Sequence, residues 1–155
     1  MPQIELTQGK YAIVDTADFE YLNQWKWYAI KARATFYAVR NVGRSPFQKR
    51  VWMHREIMNT PVEMDTDHRD GNGLNNQRRN LRVCTNTQNQ ANKSKQTNNT
   101  SGYKGVFWNN EKWQARICVE GKKIHLGHFS NVEDAARAYD SAAKNLYGEY
   151  ARTNF

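Results

Sequence analysis

Within residues 67–89 an adjacent Asp67–His68 pair is followed by Asn80, twelve positions after the histidine, and by Asn89, nine positions further on. Side chains of these types suit hydrolysis of a phosphodiester. That reaction needs one group to take a proton from water and another to stabilise charge on the scissile phosphate and the leaving 3′ oxygen. A neutral imidazole serves the first task, because its pKa lies near working pH. A hard divalent cation serves the second, and oxygen donors select Mg²⁺ or Mn²⁺ over zinc. Two protein oxygens, with water and phosphate completing the shell, make a workable one-metal site. A calcium loop is excluded: DTDHRDG puts His68 and Arg69 where oxygen ligands belong, and no glutamate closes it.

The surrounding pattern says how these groups would be held. If MDTDH is extended, Asp67 and His68 point to opposite sides of a strand. The loop RDGNGLNNQ is rich in residues that tolerate positive φ. LRVC returns as a second strand, and Thr85 with Gln88 forms a capping box that opens a short helix. Asn89 falls in that helix's first turn, facing back toward the strand ends. A hairpin with this helix folded across it would let Asp67 and Asn89 share one ion, with His68 reaching the phosphate from the other side. Upstream, YAIV reads as a strand, Ala17 to Gln24 as one short helix, and KWYAI with ATFYAVR as a strand pair. VWMHREIM reads as a helical turn or two, stopped by Pro61.

A second module follows residues 86–101, NTQNQANKSKQTNNTS, whose second half has no apolar residue and no periodicity. YKGVFW, KWQARICV and KKIHLGHF alternate as three strands, with Glu120–Gly121 as the turn between the last two. In the middle run Trp113, Ala115, Ile117 and Val119 share one face. A capping box at Ser130 and Glu133 opens a helix whose Val132, Ala135, Ala136, Tyr139, Ala142, Ala143 and Leu146 cover that face, and Gly148 caps its end. The uncovered face would carry Lys104, Arg116 and Lys123. The predicted class is thus α+β.

Bulk composition narrows the partner. A formal charge of +8 and a pI near 9.6 favour a polyanion, most often nucleic acid, although charge alone leaves a merely basic soluble protein open. Residues 1–95 hold 15 basic and 9 acidic side chains, and residues 96–155 hold 8 and 6, so most of the positive field lies with the first module. Two cysteines, Cys84 and Cys118, have no metal-ligand spacing, which argues against structural zinc or a disulfide framework. No apolar run is long enough to span a membrane and MPQIELTQGK is not a signal peptide, so a cytoplasmic location is expected.

The stretch MHREIM…DHRDGNGLNNQRRNLRVCTNTQNQANK resembles the HNH nucleases with a ββα-metal fold, above all phage and intron-encoded homing endonucleases. VDTADFEYLNQWKW is similar, less specifically, to the forepart of such enzymes. The resemblance implies that His68 is the general base, that Asp67 and Asn89 hold one Mg²⁺ or Mn²⁺, and that Asn80 holds the loop by side-chain bonds to backbone near the histidine. Residues 102–155 resemble the plant ethylene-response-factor (APETALA2-type) DNA-binding domain through YKGV, KW, the LGHF turn and AARAYDSAA. In that family the sheet lies in the major groove. Carried over by position, Lys104, Arg116, Lys123 and His125 would meet DNA. Phe107 and Cys118 stand where arginines are usual, which implies weak sequence preference.

These resemblances imply a nuclease domain over 1–93 (a β-rich extension over 1–50 and the HNH core over about 51–93), a linker over 94–101 and a DNA-binding domain over 102–155. The expected activity is nicking of double-stranded DNA by a chain acting as a monomer, a dimer remaining open. A DNA-binding regulator with an inactive nuclease module is the alternative. Arg69, Arg78, Arg79 and Arg82 are expected to grip phosphates. His54 stands open between a DNA or site-supporting contact and core packing, and His125 and His128 between structural and phosphate-contacting roles. Residues 90–101 are either a plain tether or, through Lys93 and Lys95, a minor-groove tracker. Fully extended, they would span at most ~40 Å, about one turn of duplex.

Overall fold

Two short strands open the chain, β1 (Gln3–Glu5) and β2 (Tyr11–Ile13), paired antiparallel so that Ile4 lies opposite Ala12 and both are buried. β1 was not anticipated, because three residues are too few to display a period. The computed structural model describes residues 1–32 and 35–155, and its contacts divide them into two units, Met1–Thr85 and Asn86–Phe155. The architecture is α+β: among the described residues the strands form four small antiparallel sheets, two of two strands and two of three.

In the first unit, helix α1 (Thr16–Leu22) leads into a three-stranded meander of β3 (Tyr28–Ala32), β4 (Thr35–Val42) and β5 (Lys49–Trp52). Ala34, the first residue of the expected ATFYAVR strand, lies outside the described residues. The run VWMHREIM is divided rather than helical throughout. Val51 and Trp52 complete the β4–β5 ladder opposite Arg40 and Val39, and α2 (Met53–Met58) begins only after them. Branched and aromatic side chains fit a pleated surface better than a helix. Asn59 ends α2 in the left-handed region (φ 45°), and Arg55 ties down the following turn, donating to the carbonyls of Pro61 and Met64 at 2.7 Å each. Ile4, Leu6, Val14, Leu22, Trp27 and Met53 form the core, and the Trp27 indole N–H donates to the Leu22 carbonyl at 2.8 Å. Against this core stands the hairpin of β6 (Asp65–His68) and β7 (Leu81–Cys84), which contributes Leu81.

The second unit starts with α3 (Asn86–Ala91), which begins immediately after Thr85. Strands β8 (Val106–Asn109), β9 (Lys112–Val119) and β10 (Lys122–Phe129) form a sheet in the order β10-β9-β8. Its turns are Asn110–Glu111 and Glu120–Gly121, both pairs at positive φ, as two-residue hairpins require. Helix α4 (Val132–Tyr147) packs Ala135, Ala136, Tyr139 and Ala143 onto Val106, Ala115 and Ile117. Its cap is Asn131 rather than Ser130: the Asn131 carboxamide oxygen accepts from the Glu133 N–H at 2.7 Å. Gly148 closes the helix, its N–H bonded to the Lys144 carbonyl. Gly105 (φ 76°) cannot carry a side chain, because a Cβ there would fall 2.0 Å from the Tyr139 ring.

The stretch read from sequence as a linker is hydrogen-bonded within this unit. The Asn99 N–H donates to the Gln96 carbonyl at 3.0 Å, the Lys95 ammonium to the Gly102 carbonyl at 2.6 Å, and the Ser101 hydroxyl to the Val106 carbonyl at 2.7 Å. Among the described residues no helix is long and apolar enough to cross a membrane.

Candidate active site

The register of the β6–β7 hairpin sets Asp67 opposite Arg82 and His68 opposite Leu81, so the two halves of the Asp–His pair occupy opposite faces. Asp67 accepts from Arg82 on one oxygen, Oδ2, from Nε at 2.8 Å and from Nη2 at 2.7 Å, with both side chains buried. Arg82 is therefore a buried partner of Asp67 and not a surface grip on phosphate. A guanidinium in this place is tolerated because it meets a carboxylate, and removing either partner of such a pair costs about 3–5 kcal/mol.

His68 is 5% exposed. Its Nε2 lies 3.2 Å from Oδ1 of Asn76, itself fully buried, whose Nδ2 turns to the Leu74 carbonyl. A carboxamide oxygen only accepts, so Nε2 carries the proton and Nδ1 is the basic nitrogen. Burial holds the His68 pKa below the ordinary imidazole value, against the opposing pull of Asn76, Asp70 and Asp67. Tyr37 and His54 pack against the ring with centroids 5.7 and 5.0 Å away.

The loop after His68 is a closed hydrogen-bond network. The Asn80 side chain accepts from the Asp70 N–H at 3.1 Å and donates to the Asn75 carbonyl at 2.8 Å and to the Asp70 carboxylate at 3.0 Å. Burial alone would raise the Asp70 pKa. Donors from Asn72, Asn75 and Asn80 outweigh it and hold the carboxyl below its usual value. The N-terminal elements buttress the same loop. Ile13 of β2 donates to the Leu74 carbonyl and accepts from the Asn76 N–H, each at 2.8 Å, and the Thr35 hydroxyl accepts from Gly73 N–H at 3.1 Å. Gly73 is required by close approach, since a Cβ would lie 2.5 Å from the Phe36 carbonyl oxygen. Asp15 accepts from Gln77 and from the Arg78 N–H, and Asp18 takes the Arg78 guanidinium at 2.7 and 2.9 Å. Arg78 thus clamps loop to helix α1 while its side chain stays 55% exposed.

His54 is buried among Tyr37, Trp52 and His68, with ring centroids 5.0–5.7 Å away. Burial, then the neighbouring His68 and Arg55, push its pKa down to about 3. Its Nδ1 has no hydrogen-bond partner among the described residues. His54 is a core residue beside the candidate base, not a DNA contact. Arg69 and Arg79 are exposed on the loop, and Arg79 also donates to Gln77 at 3.3 Å.

The remaining expected residues belong to the second unit. Asn89 is half-buried on α3. Lys93 donates to the Gln90 side chain. Lys104 differs from its expected place on the open sheet face: its ammonium donates to the Ala91 carbonyl at 2.5 Å and sits over the Tyr139 ring. Burial, with Arg152 adding to it and Asp140 opposing it, lowers the Lys104 pKa to about 8. Arg116, Lys123 and His125 do gather on that face, because β9 and β10 pair Arg116 with His125 and Cys118 with Lys123. Phe107, at an expected arginine position, lies under the Arg116 guanidinium at 4.5 Å. The Gln114 side-chain amide donates to His128 Nε2 at 2.6 Å, and the His128 ring lies near that of His125.

Sequence reasoning passed over Asn76, Asp70 and Tyr37. Asn76 and Asp70 stood inside the quoted loop, where asparagine and aspartate read as turn formers. The signal that sets Asn76 apart is its position eight residues after His68 in a hairpin loop that must fold back onto the strand.

No family profile matches the chain, and no solved structure matches it. It is 28% identical over 147 residues to a protein of Acanthamoeba polyphaga mimivirus named as an uncharacterized HNH endonuclease, covering 95% of this chain and 76% of that one. Over 40 residues it is 62% identical to an ethylene-responsive transcription factor-like protein of Arabidopsis thaliana, a match that spans only 18% of the plant protein. It is 34% identical over 106 residues to Protein 3.8 of Escherichia phage T7, covering 66% of this chain and 84% of the phage protein. At that identity and coverage, the chain belongs to the family of the phage protein 3.8.

Proposed function

We propose that this protein is a metal-dependent DNA endonuclease of the HNH kind that nicks duplex DNA. The observation that carries the proposal is the His68 imidazole, its pKa held down by burial and its tautomer fixed by Asn76, next in the strand to Asp67 with its Arg82 partner. The likeness to the viral protein named as an HNH endonuclease supports it. In the family's pattern the HNH core would be a ββα-metal module.

The donor chemistry suits a hard ion. Asp67 supplies a carboxylate with Oδ2 turned to Arg82, and Asn89 a carboxamide oxygen. Among the described residues no three His, Cys, Asp or Glu side chains group as a metal site, so water and phosphate would complete the shell. Asp67 and Asn89 would hold one Mg²⁺ or Mn²⁺, which when bound supplies charge stabilisation at the scissile phosphate and leaving oxygen. His68 takes the proton of the attacking water at Nδ1, and Asn76 keeps Nε2 protonated so that this nitrogen stays basic. Asn80 keeps the loop closed over the base. Arg82 holds the Asp67 carboxylate in one rotamer. Arg69 and Arg79 on the loop hold the DNA backbone, and Arg116, Lys123 and His125 place the duplex through the sheet of a separate DNA-binding domain. Lys93 and Lys95 add phosphate contacts, and the chain acts singly, in the cytoplasm of a bacterial or phage-infected cell.

Nicking of supercoiled plasmid with Mg²⁺ or Mn²⁺ tests the proposal. The native chain converts plasmid to open circles, and His68→Ala binds DNA but leaves it closed. Wild-type cutting by His68→Ala would refute the role of the base. The stretch of 62% identity to a transcription factor-like protein favours one other reading, a DNA-binding regulator. Absence of cleavage on any DNA with either metal would select it.

A further inference from the structure

No acidic residue occurs between Glu20 and Glu56, and the hairpin formed by β4 and β5 projects from the middle of that stretch. Residues 41–50 are all exposed. Phe47, at the tip after Pro46, is 84% exposed, a large apolar ring left in water. Arg44, Lys49 and Arg50 flank it, and among the described residues none of the three has an ion-pair partner. An exposed ring inside a purely cationic hairpin lacks a structural use, since neither packing nor pairing holds it. It matches a polyanion that also offers flat apolar surfaces between stacked units.

The β4–β5 register relates this tip to the candidate active site. Val39 opposes Trp52 and Asn41 opposes Arg50, so Tyr37, Val39, Asn41, Arg50 and Trp52 share one face of the sheet. Tyr37 packs on His68 and Trp52 on His54. The face that carries Arg50 near the tip therefore runs back to the candidate base. Trp52 and Phe47 are five residues apart, at most about 17 Å at ~3.4 Å per residue, since Phe47 and Gln48 lie in the turn before β5. That length corresponds to at most about five steps along one DNA strand, where phosphates recur every ~3.4 Å.

We propose that the β4–β5 hairpin is a DNA-bending wedge: Pro46 and Phe47 enter between base pairs from the minor groove, while Arg44, Lys49 and Arg50 hold the flanking phosphates. The wedge sits within about five base pairs of the bond that His68 attacks, a spacing that rests on the nuclease reading. Insertion of an apolar side chain unstacks one step and kinks the duplex, and the kink lets more basic surface reach the backbone.

The full-length His68→Ala chain and a duplex of about 40 base pairs of random sequence, with a dye at each end, test the bend by energy transfer, against an expected kink of roughly 20–90°. With Phe47 present, the dyes approach on binding. Phe47→Ser abolishes the approach and Phe47→Trp preserves it. The ring is exposed, so its loss leaves the fold intact. Replacing Arg44, Lys49 and Arg50 together by glutamine lowers the slope of log affinity against log salt by about 2.7, or ~0.9 for each lost phosphate contact. With the nick sites of the active chain mapped, 2-aminopurine brightens at one step within about five base pairs of the nick and nowhere else. Bending by Phe47→Ser equal to the parent, or an unchanged salt slope, overturns the wedge. So does a pattern in which these variants abolish binding to phosphatidylserine vesicles and leave duplex binding as it was. A native chain that bends DNA yet nicks none refutes the nuclease reading and sustains the wedge. A chain that nicks at its normal sites while Phe47→Ser still bends the duplex does the reverse.

Discussion

Replacing His54 by phenylalanine should remove a defined part of the acid sensitivity of folding. The His54 pKa is pushed from 6.5 to about 3 in the folded chain, chiefly by burial. Folded His54 is therefore neutral where unfolded His54 gains a proton, and its contribution to stability is complete above pH 6.5 and declines as pH falls toward 3. Each pH unit inside that window costs up to about 1.4 kcal/mol, so the loss between pH 7 and pH 5 is about 2 kcal/mol. The full window would amount to at most about 5 kcal/mol. Phenylalanine fits the ring cluster of Tyr37, Trp52 and His68, and removes a buried Nδ1 that lacks a hydrogen bond. Urea unfolding followed by circular dichroism at pH 7, 6 and 5 measures the effect. The stability difference between His54→Phe and the parent should move by about 2 kcal/mol in favour of the variant from pH 7 to pH 5. Parallel pH curves for the two proteins would refute a buried, neutral His54.

Other consequences follow from named contacts. Arg82→Met strands a buried carboxylate and should cost about 3–5 kcal/mol in urea unfolding, while the salt dependence of DNA binding stays as in the parent; a reduced salt slope would return Arg82 to the phosphate-binding set. Asn76→Ala deletes the group that fixes the His68 tautomer and should slow plasmid nicking roughly 100-fold, the low end of general-base effects, with little change in DNA affinity; unaltered nicking would dismiss that role. Gly105→Ala forces a methyl into the Tyr139 ring at positive φ and should lower stability by at least ~2 kcal/mol, read from the melting of the second unit. Asn131→Ala should cost about 1 kcal/mol through loss of the α4 cap, whereas Ser130→Ala should cost a few tenths at most.

Much of this was legible because it is local. The alternation in KWQARICV, the helical recurrence of Val132 to Leu146, the Glu120–Gly121 turn and the glycine at the end of α4 each depend on neighbours a few positions away. The division of VWMHREIM was not legible, since Val51 and Trp52 are drawn into β5 by ladder partners in β4, distant in the chain. The same holds at the candidate site. The residue types Asp67, His68 and Asn80 stand out in sequence. What each touches depends on register: Arg82 reads as one more surface cation until strand pairing sets it opposite Asp67. His54 has the same composition as a ligand and the surroundings of a core residue. The buttress from Ile13, Asp15, Asp18 and Thr35 lies some sixty or forty positions from the loop it supports, for example 62 between Asp15 and Gln77 and 38 between Thr35 and Gly73, and no spacing rule reaches that far. Lys104 was misplaced for a related reason: it lies in the turn before β8, outside the sheet's alternation, and its ammonium reaches the Ala91 carbonyl at the end of α3.

The most direct measurement is anomalous scattering from crystals of the chain grown with Mn²⁺ and a duplex carrying a mapped nick site. One manganese peak should lie within coordination distance of an oxygen of Asp67 and of the carboxamide oxygen of Asn89, beside a phosphate faced by His68. A peak bound elsewhere, with the imidazole facing no phosphate, would contradict hydrolysis by this pair of groups.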